Sequence, residues 1–184
     1  KSEGIETKMI IVSDDIASAS NEDKLKRRGI AGLIFAFKIA GASSENGASL
    51  EEVYNLTLKA INNLRTIGVA VSSCILPEVG TPTFELENDE IEIGMGIHGE
   101  PGIKREKLRK ADLLVDDLCK IIFEDFELSN NDKVSIMINS LGATPLEELY
   151  IVSKRVNEIF SKKNIEIVKS YVGRYATSLE MAGM

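Results

Sequence analysis

Short apolar runs alternate along this chain with longer stretches of helical apolar spacing, which restricts it to folds in which helices cover a sheet. Residues 8–12 form the first strand-like run, closed by Ser13-Asp14-Asp15. Polar residues 18–26 read as a loop. Residues 28–42 carry Ile30, Leu33, Ile34, Phe35, Phe37 and Ile39 almost all round, which predicts a buried helix. Gly29, Gly32 and Gly41 lower its propensity by about 1 kcal/mol each and fit if another backbone packs close. Ser49 and Glu52 form a capping box for a helix with Val53, Leu56, Ala60, Ile61 and Leu64 on one side. Residues 67–71 predict a strand and 77–82 a loop.

From Phe84 to Ile93, apolar residues alternate with Glu85, Glu87, Glu90 and Glu92 about Asn88-Asp89, the pattern of a hairpin. Glycine-rich residues 94–102 lead to a helix over 105–123, with Leu108, Ala111, Leu114, Val115, Leu118, Ile121 and Ile122 inward. Residues 134–138 predict a strand. Thr144 as N-cap, Pro145 at the first helical position and Glu147 two residues on predict a helix to about residue 160. Residues 165–171 are the last strand. The fold class is α/β, a mixed sheet covered by helices.

Composition narrows the function. Of 184 residues, 43% are hydrophobic and 28% charged, enough for a core without a disulfide or metal staple. The net charge of -7 argues against nucleic acid and anionic membranes as partners. No apolar run approaches the roughly 20 residues of a membrane span. The polar start Lys1-Ser2-Glu3-Gly4 does not resemble a signal peptide. Cys74 and Cys119 cannot build a disulfide framework; two buried, reduced thiols in a cytoplasmic protein are expected. The start without Met and the unusually apolar residues 179–184 predict a piece of a longer chain.

His98 is the single histidine, which excludes multi-histidine metal sites. It lies in Gly94-Met95-Gly96-Ile97-His98-Gly99-Glu100-Pro101-Gly102. The literal G-x-G-x-x-G there is a weak dinucleotide signal, because Pro101-Gly102 turns the chain before any helix opens. Glycines on both sides let a small ligand approach the ring, and a neutral imidazole is a nucleophile or a base. The alternative is a histidine that merely packs against a turn. Glu100 either orients the ring or is a solvated turn carboxylate. Residues 139–144 lead into a helix N-terminus, either an anion position or capping alone. Arg27 and Arg28 could meet a phosphate or form ion pairs at a helix start. Asp14 and Asp15 fit loop capping better than a metal. No Walker-A pattern occurs.

These residues carry a resemblance. The 94–102 segment resembles the G-x-G-I-H-G-E-P-G stretch of dihydroxyacetone kinases, in their substrate-binding subunit or domain. Ile11-Val12-Ser13-Asp14-Asp15-Ile16-Ala17 is similar to the family's V-x-D-D-V-A strand end. Arg27-Arg28-Gly29-Ile30-Ala31-Gly32 with Lys38-Ile39-Ala40-Gly41-Ala42 resembles R-R-G-V-A-G…K-I-A-G-A. Asn139-Ser140-Leu141-Gly142-Ala143-Thr144-Pro145 with Glu148-Leu149-Tyr150 resembles N-x-L-G-A-T-P-x-x-E-L-Y. Tyr175-Ala176-Thr177-Ser178-Leu179-Glu180-Met181-Ala182-Gly183 resembles Y-x-T-S-L-D-M-x-G.

The resemblance implies that His98 attacks the ketone of dihydroxyacetone and holds it as a covalent hemiaminal through Nε2, for phosphorylation at a terminal hydroxyl. It implies no cofactor in this chain; ATP, or protein-bound ADP, with magnesium would sit on a nucleotide-binding partner subunit or domain. A cytoplasmic homodimer is expected. The family's G-G-G-S-G-H-E-P motif and an Asp, both further toward the N-terminus in that family, are absent from this sequence, so the chain resembles the C-terminal part of the substrate-binding subunit and alone is expected to be inactive. The implied organisation is the remnant of a first α/β domain at 1–63, with 165–184 returning to it, and a second α/β domain at 64–164. The alternative is a relative that binds dihydroxyacetone through the same histidine but acts as coactivator of a transcription regulator.

Overall fold

A computed structural model describes residues 3–184; Lys1 and Ser2, the first residues of the polar start, lie outside it. Strands β1 (Val69–Ala70), β2 (Glu90–Ile93) and β3 (Lys104–Lys107) form an antiparallel ladder in that order. Strands β4 (Lys133–Asn139) and β5 (Glu166–Gly173) pair in parallel, with a register shift between Val134 and Ser135. Helices α1 (Leu33–Glu45) and α2 (Leu50–Asn62) precede β1, α3 (Ala111–Asp125) follows β3, and α4 (Leu146–Lys162) joins β4 to β5. A parallel pair needs such a crossover, and a helix supplies it.

The C-terminal residues stitch the two ladders together. Val69 and Met184 exchange N–H···O bonds of 2.8 and 2.9 Å, and the amides of Leu141 and Ala143 donate to Gly183 and Met181. The α3 stripe Leu114, Val115, Leu118 and Cys119, spaced at three and four, is buried. Val115 and Cys119 pack with Leu149, Val156 and Phe160; Leu114 and Leu118 pack with Val69, Ile91 and Ile93. A third cluster, Ala70, Cys74, Met95, Leu141 and Met181, lies under the glycine-rich loop. The mixed α/β class expected from the alternation is the one observed. No helix among the described residues is long and apolar enough to cross a membrane.

The capping box of α2 forms as predicted: Ser49 Oγ accepts from the Glu52 amide and the Glu52 carboxylate from the Ser49 amide at 2.8 Å. Its inner side is Thr57 and Ile61, while Leu56 is exposed. The glycines before α1 are there for close approach. Asp14 is fully buried, and its carboxylate accepts the amides of Ile30 and Gly32 at 2.9 and 2.8 Å. A Cβ on Gly32 would fall 2.6 Å from Asp14 Cγ. Gly32→Ala is therefore expected to lower stability by about 1–3 kcal/mol, as overpacking does, read as a drop in denaturation midpoint.

Several local expectations are corrected. Residues 8–12 form no strand, because no other described strand lies beside them; Met9 and Ile11 are exposed. Helix α1 begins at Leu33 rather than 28, and only Ala36 in it is fully buried; Leu33 and Phe37 face outward. Residues 84–88 are not a strand. β2 pairs instead with β1 and β3, and Glu92 is buried in an ion pair with Arg105, so its alternation does not mark a wet face. Residues 105–107 belong to β3, and the helix after them starts at Ala111. At α4, Pro145 is the N-cap, without a side-chain cap bond. The Thr144 hydroxyl is turned away: it donates to the Gly183 carbonyl and accepts the Gly183 amide, both at 2.8 Å.

Candidate functional site

The site grows out of the turn from β2 to β3. Its neck is closed by the Ile103 amide on the Ile93 carbonyl at 2.8 Å and by the Gly102 amide on Glu92 Oε1 at 2.6 Å. Glu92 Oε2 takes Arg105 Nε at 2.9 Å, so a buried carboxylate is satisfied from two sides. Gly94 has φ +79, and a Cβ there would meet Ala17 at 2.6 Å; glycine fits both demands. Beyond it, Met95 is buried in the third cluster and Ile97 packs against the same cluster. With Met95 and Ile97 sunk, the next side chain is lifted out: His98 is 81% exposed.

Glu100 organises the tip. Its Oε2 accepts the His98 amide at 3.0 Å, and its Oε1 lies 3.2 Å from His98 Nδ1. The Gly96 amide donates to the Glu100 carbonyl at 3.0 Å and the Gly99 amide to the Gly96 carbonyl at 3.1 Å. Partial burial pushes the Glu100 carboxyl up. Hydrogen bonds from its own amide, the His98 amide and the His98 ring outweigh that and hold it below the usual carboxylate range. An ionised carboxylate only accepts, so the Nδ1 atom facing Glu100 carries a proton, and Nε2 points away from Glu100. The arrangement presents the imidazole at the surface of a hydrogen-bonded turn. Of the two roles left open for Glu100, orientation of the ring is the one the geometry carries.

Arg28 supports the loop from behind. Its Nη2 donates to the Gly94 carbonyl at 3.0 Å and its Nε to Asp15 Oδ2 at 2.7 Å. Asp15 is buried; burial pushes its carboxyl up, and the Arg28 charge and hydrogen bond offset only part of that. Sequence reasoning placed Arg28 at a helix start; α1 begins only at Leu33, so its ion pair with Asp15 lies in the segment before the helix, and its link to the histidine loop was not read. The linking residues are 66 positions apart, and only the Arg-Arg-Gly motif signalled them.

The other candidates serve the scaffold. Asp14 accepts the amides of Ile30 and Gly32 in the turn that leads into α1, and no group of three or more His, Cys, Asp or Glu gathers as a metal site among the described residues. Arg27 is buried against Asp125. In the 139–144 loop, Asn139 Oδ1 accepts the amides of Tyr175 and Ala176 at 2.9 Å, and Ser140 Oγ donates to the Thr144 carbonyl at 2.8 Å. Both cysteines are free and buried. Burial, with a smaller push from Asp116, raises the Cys119 thiol to about 11. Alkylation of Cys119 by iodoacetamide at neutral pH is therefore expected only after unfolding, a difference that peptide mass mapping resolves.

Comparison with known proteins adds the following. A family model for the Dak1 domain matches residues 1–184. The PTS-dependent dihydroxyacetone kinase 1, dihydroxyacetone-binding subunit DhaK, of Listeria innocua is 46% identical over 180 residues, covering 98% of this chain and 55% of that protein. The dihydroxyacetone kinase of C. freundii, solved in complex with AMP-PNP and Mg2+, superposes with a TM-score of 0.85 at 31% identity, over 99% of this chain and 33% of that one. A dihydroxyacetone kinase operon co-activator, Dha-DhaQ, superposes with a TM-score of 0.85 at 32% identity, over 99% of this chain and 56% of that one. The chain spans about half the length of the curated DhaK relatives it matches.

Proposed function

This chain belongs to the Dak1 domain family, and from that premise we propose that it is the histidine-bearing part of a dihydroxyacetone-binding kinase subunit. His98 captures the substrate ketone. The observation that carries this is the exposed His98 ring with Nδ1 turned to Glu100 and Nε2 left free. Nε2 adds to the carbonyl carbon as the C=O π pair moves to oxygen. The oxygen takes up a proton, and the Nδ1 proton leaves toward Glu100 or solvent, giving a neutral hemiaminal. Only a carbonyl compound can react so, which selects short ketoses over glycerol. The name of the Listeria relative and the C. freundii complex with AMP-PNP and Mg2+ support a phosphoryl step. In that step the nucleotide, as ATP or protein-bound ADP, and Mg2+ are carried by a partner subunit or domain. This chain's residues hold the substrate.

The likeness to the co-activator favours a second reading, substrate capture without phosphoryl transfer. Native mass spectrometry after incubation with dihydroxyacetone or glycerol tests the shared step. One dihydroxyacetone retained per chain and no glycerol is the expected result; equal retention of both, or of neither, refutes capture at His98. Formation of dihydroxyacetone phosphate with an added nucleotide-bearing subunit then separates kinase from coactivator.

A further inference from the structure

In the histidine loop, Gly94 and Gly99 have positive φ, and Gly102 has the Ile93 carbonyl pressed against it, so backbone alone requires glycine at all three. Gly96 lies outside the positive-φ region, and what crowds it is different. A Cβ there would fall 2.2 Å from Glu100 Oε2 and 2.7 Å from Arg28 Nη1, the far ends of two oppositely charged side chains. Across the bare face of Gly96, a carboxylate and a guanidinium therefore stand within about 5 Å of each other. Arg28 is fixed in that position by its other two corners. Nε donates to Asp15 Oδ2 at 2.7 Å and Nη2 to the Gly94 carbonyl at 3.0 Å, which sets the plane of the guanidinium and leaves Nη1 turned to Gly96. The Arg28 side chain is only 23% exposed, so water screens its charge less than at an open surface. On the far side of the turn, Thr83 and Phe84 border Gly99 and bring no charge.

We propose that Arg28 is a positioning residue for His98, acting through Glu100 across the open face of Gly96. The guanidinium keeps Glu100 ionised and holds its carboxylate over Gly96, where Oε2 takes the His98 amide and Oε1 faces Nδ1. A carboxylate in that place keeps the ring proton on Nδ1. An unconstrained neutral histidine carries its proton mainly on Nε2, so the series Asp15, Arg28, Glu100, His98 inverts the ordinary tautomer. Gly96 makes this possible by having no side chain to part the two charges. The inference rests on the reading of His98 as the capturing residue, because Nε2 adds to a carbonyl only when it carries no proton.

His98 is the single histidine, so NMR of isotope-labelled histidine reads one ring and both of its nitrogens. At about pH 8.5, above the ordinary imidazole range, the parent chain is expected to show a protonated Nδ1 and an unprotonated Nε2. In Arg28→Gln and in Gly96→Ala the Nε2–H form becomes the major one, and retention of dihydroxyacetone falls severalfold with the competent population. Gly96→Ala leaves Arg28 its bonds to Asp15 and Gly94, so it tests the gap without removing the support of the loop, and it decides the matter if Arg28→Gln fails to fold. Arg28→Lys keeps the charge but not the fork and retains the Nδ1–H ring. A parent ring protonated on Nε2, or an unchanged tautomer in Gly96→Ala, overturns the proposal. So does a Lys variant that behaves like the Gln variant, which would leave Arg28 serving only the Gly94 carbonyl. The tautomer is read without ligand. A parent chain with the Nδ1–H ring that retains no dihydroxyacetone would therefore refute capture at His98 while supporting the positioning.

Discussion

His98→Ala is expected to retain no dihydroxyacetone and to unfold at the same denaturant midpoint as the parent chain. Both halves of that result follow from how the loop is built. The ring is 81% exposed, and Ala keeps the backbone amide that Glu100 Oε2 accepts at 3.0 Å. Met95 and Ile97 anchor the turn from inside, and the neck bonds at Gly102 and Ile103 involve no atom of His98. The substitution removes only the 3.2 Å approach of Nδ1 to Glu100, an exposed pair, and surface changes of that kind stay within about 0.5 kcal/mol. Capture disappears because among the described residues no other histidine exists and both thiols are buried. A histidine that only packed against its turn predicts the reverse, a lowered midpoint with ligand retention unchanged. Retained capture in the variant would falsify the role given to Nε2.

The glycine-flanked histidine turn was legible because its geometry is local: spacing and residue type announce a turn with little around the ring, and the ring is exposed. The capping box at Ser49 and the close backbone approach at Gly29, on the Val12 carbonyl, were legible for the same reason, whereas Gly32 makes room for the Asp14 side chain and Gly41 for nothing nearby. What failed depended on partners far along the chain. Residues 8–12 have a strand's composition, but a strand exists only beside another. β3 is written Lys104-Arg105-Glu106-Lys107, with no apolar alternation to betray it. It forms because Glu90 and Glu92 of β2 stand opposite Lys107 and Arg105, cross-strand charge pairs that a single run cannot show. Thr144 has the sequence context of an N-cap, yet Gly183, 39 residues on, takes its hydroxyl. The frame of the site was hidden in the same way. Arg28, Asp15 and Glu92 act through Gly94 and Gly102, and Glu92, the one buried acid of an alternating run, looks like part of a solvated face until Arg105 is placed against it.

Asp125→Ala is expected to cost about 3–5 kcal/mol of folding stability, the usual result of removing one member of a buried ionic group. Asp125, at the end of α3, is clasped by two guanidiniums. Arg27 reaches both of its oxygens, and Arg65 Nε donates to Oδ2 at 2.5 Å. The side chains of Arg27 and Arg65 are 1% and 11% exposed. Without the carboxylate, Arg27 keeps the Ala19 carbonyl and Arg65 the carbonyls of Asn62 and Leu64, but two positive charges remain in a dry site with no counter-ion. The pH dependence has a definite sign. Burial pushes the Asp125 carboxyl up, but the hydrogen bonds and charges of Arg27 and Arg65 more than reverse this, leaving it below its ordinary value. A carboxyl depressed by folding stabilises above the unfolded-state range and ceases to do so as pH falls through its folded value. The parent chain therefore loses this contribution in acid, below about pH 4, while the variant, already lacking it, shows a flatter decline. Urea unfolding from neutral pH down to that range measures both quantities. A loss under about 1 kcal/mol with parallel acid slopes would mean that water already reaches the clasp and screens it like a surface pair. The clasp also bears on the site through the chain itself, because Arg28, which holds the Gly94 carbonyl, is the next residue after Arg27.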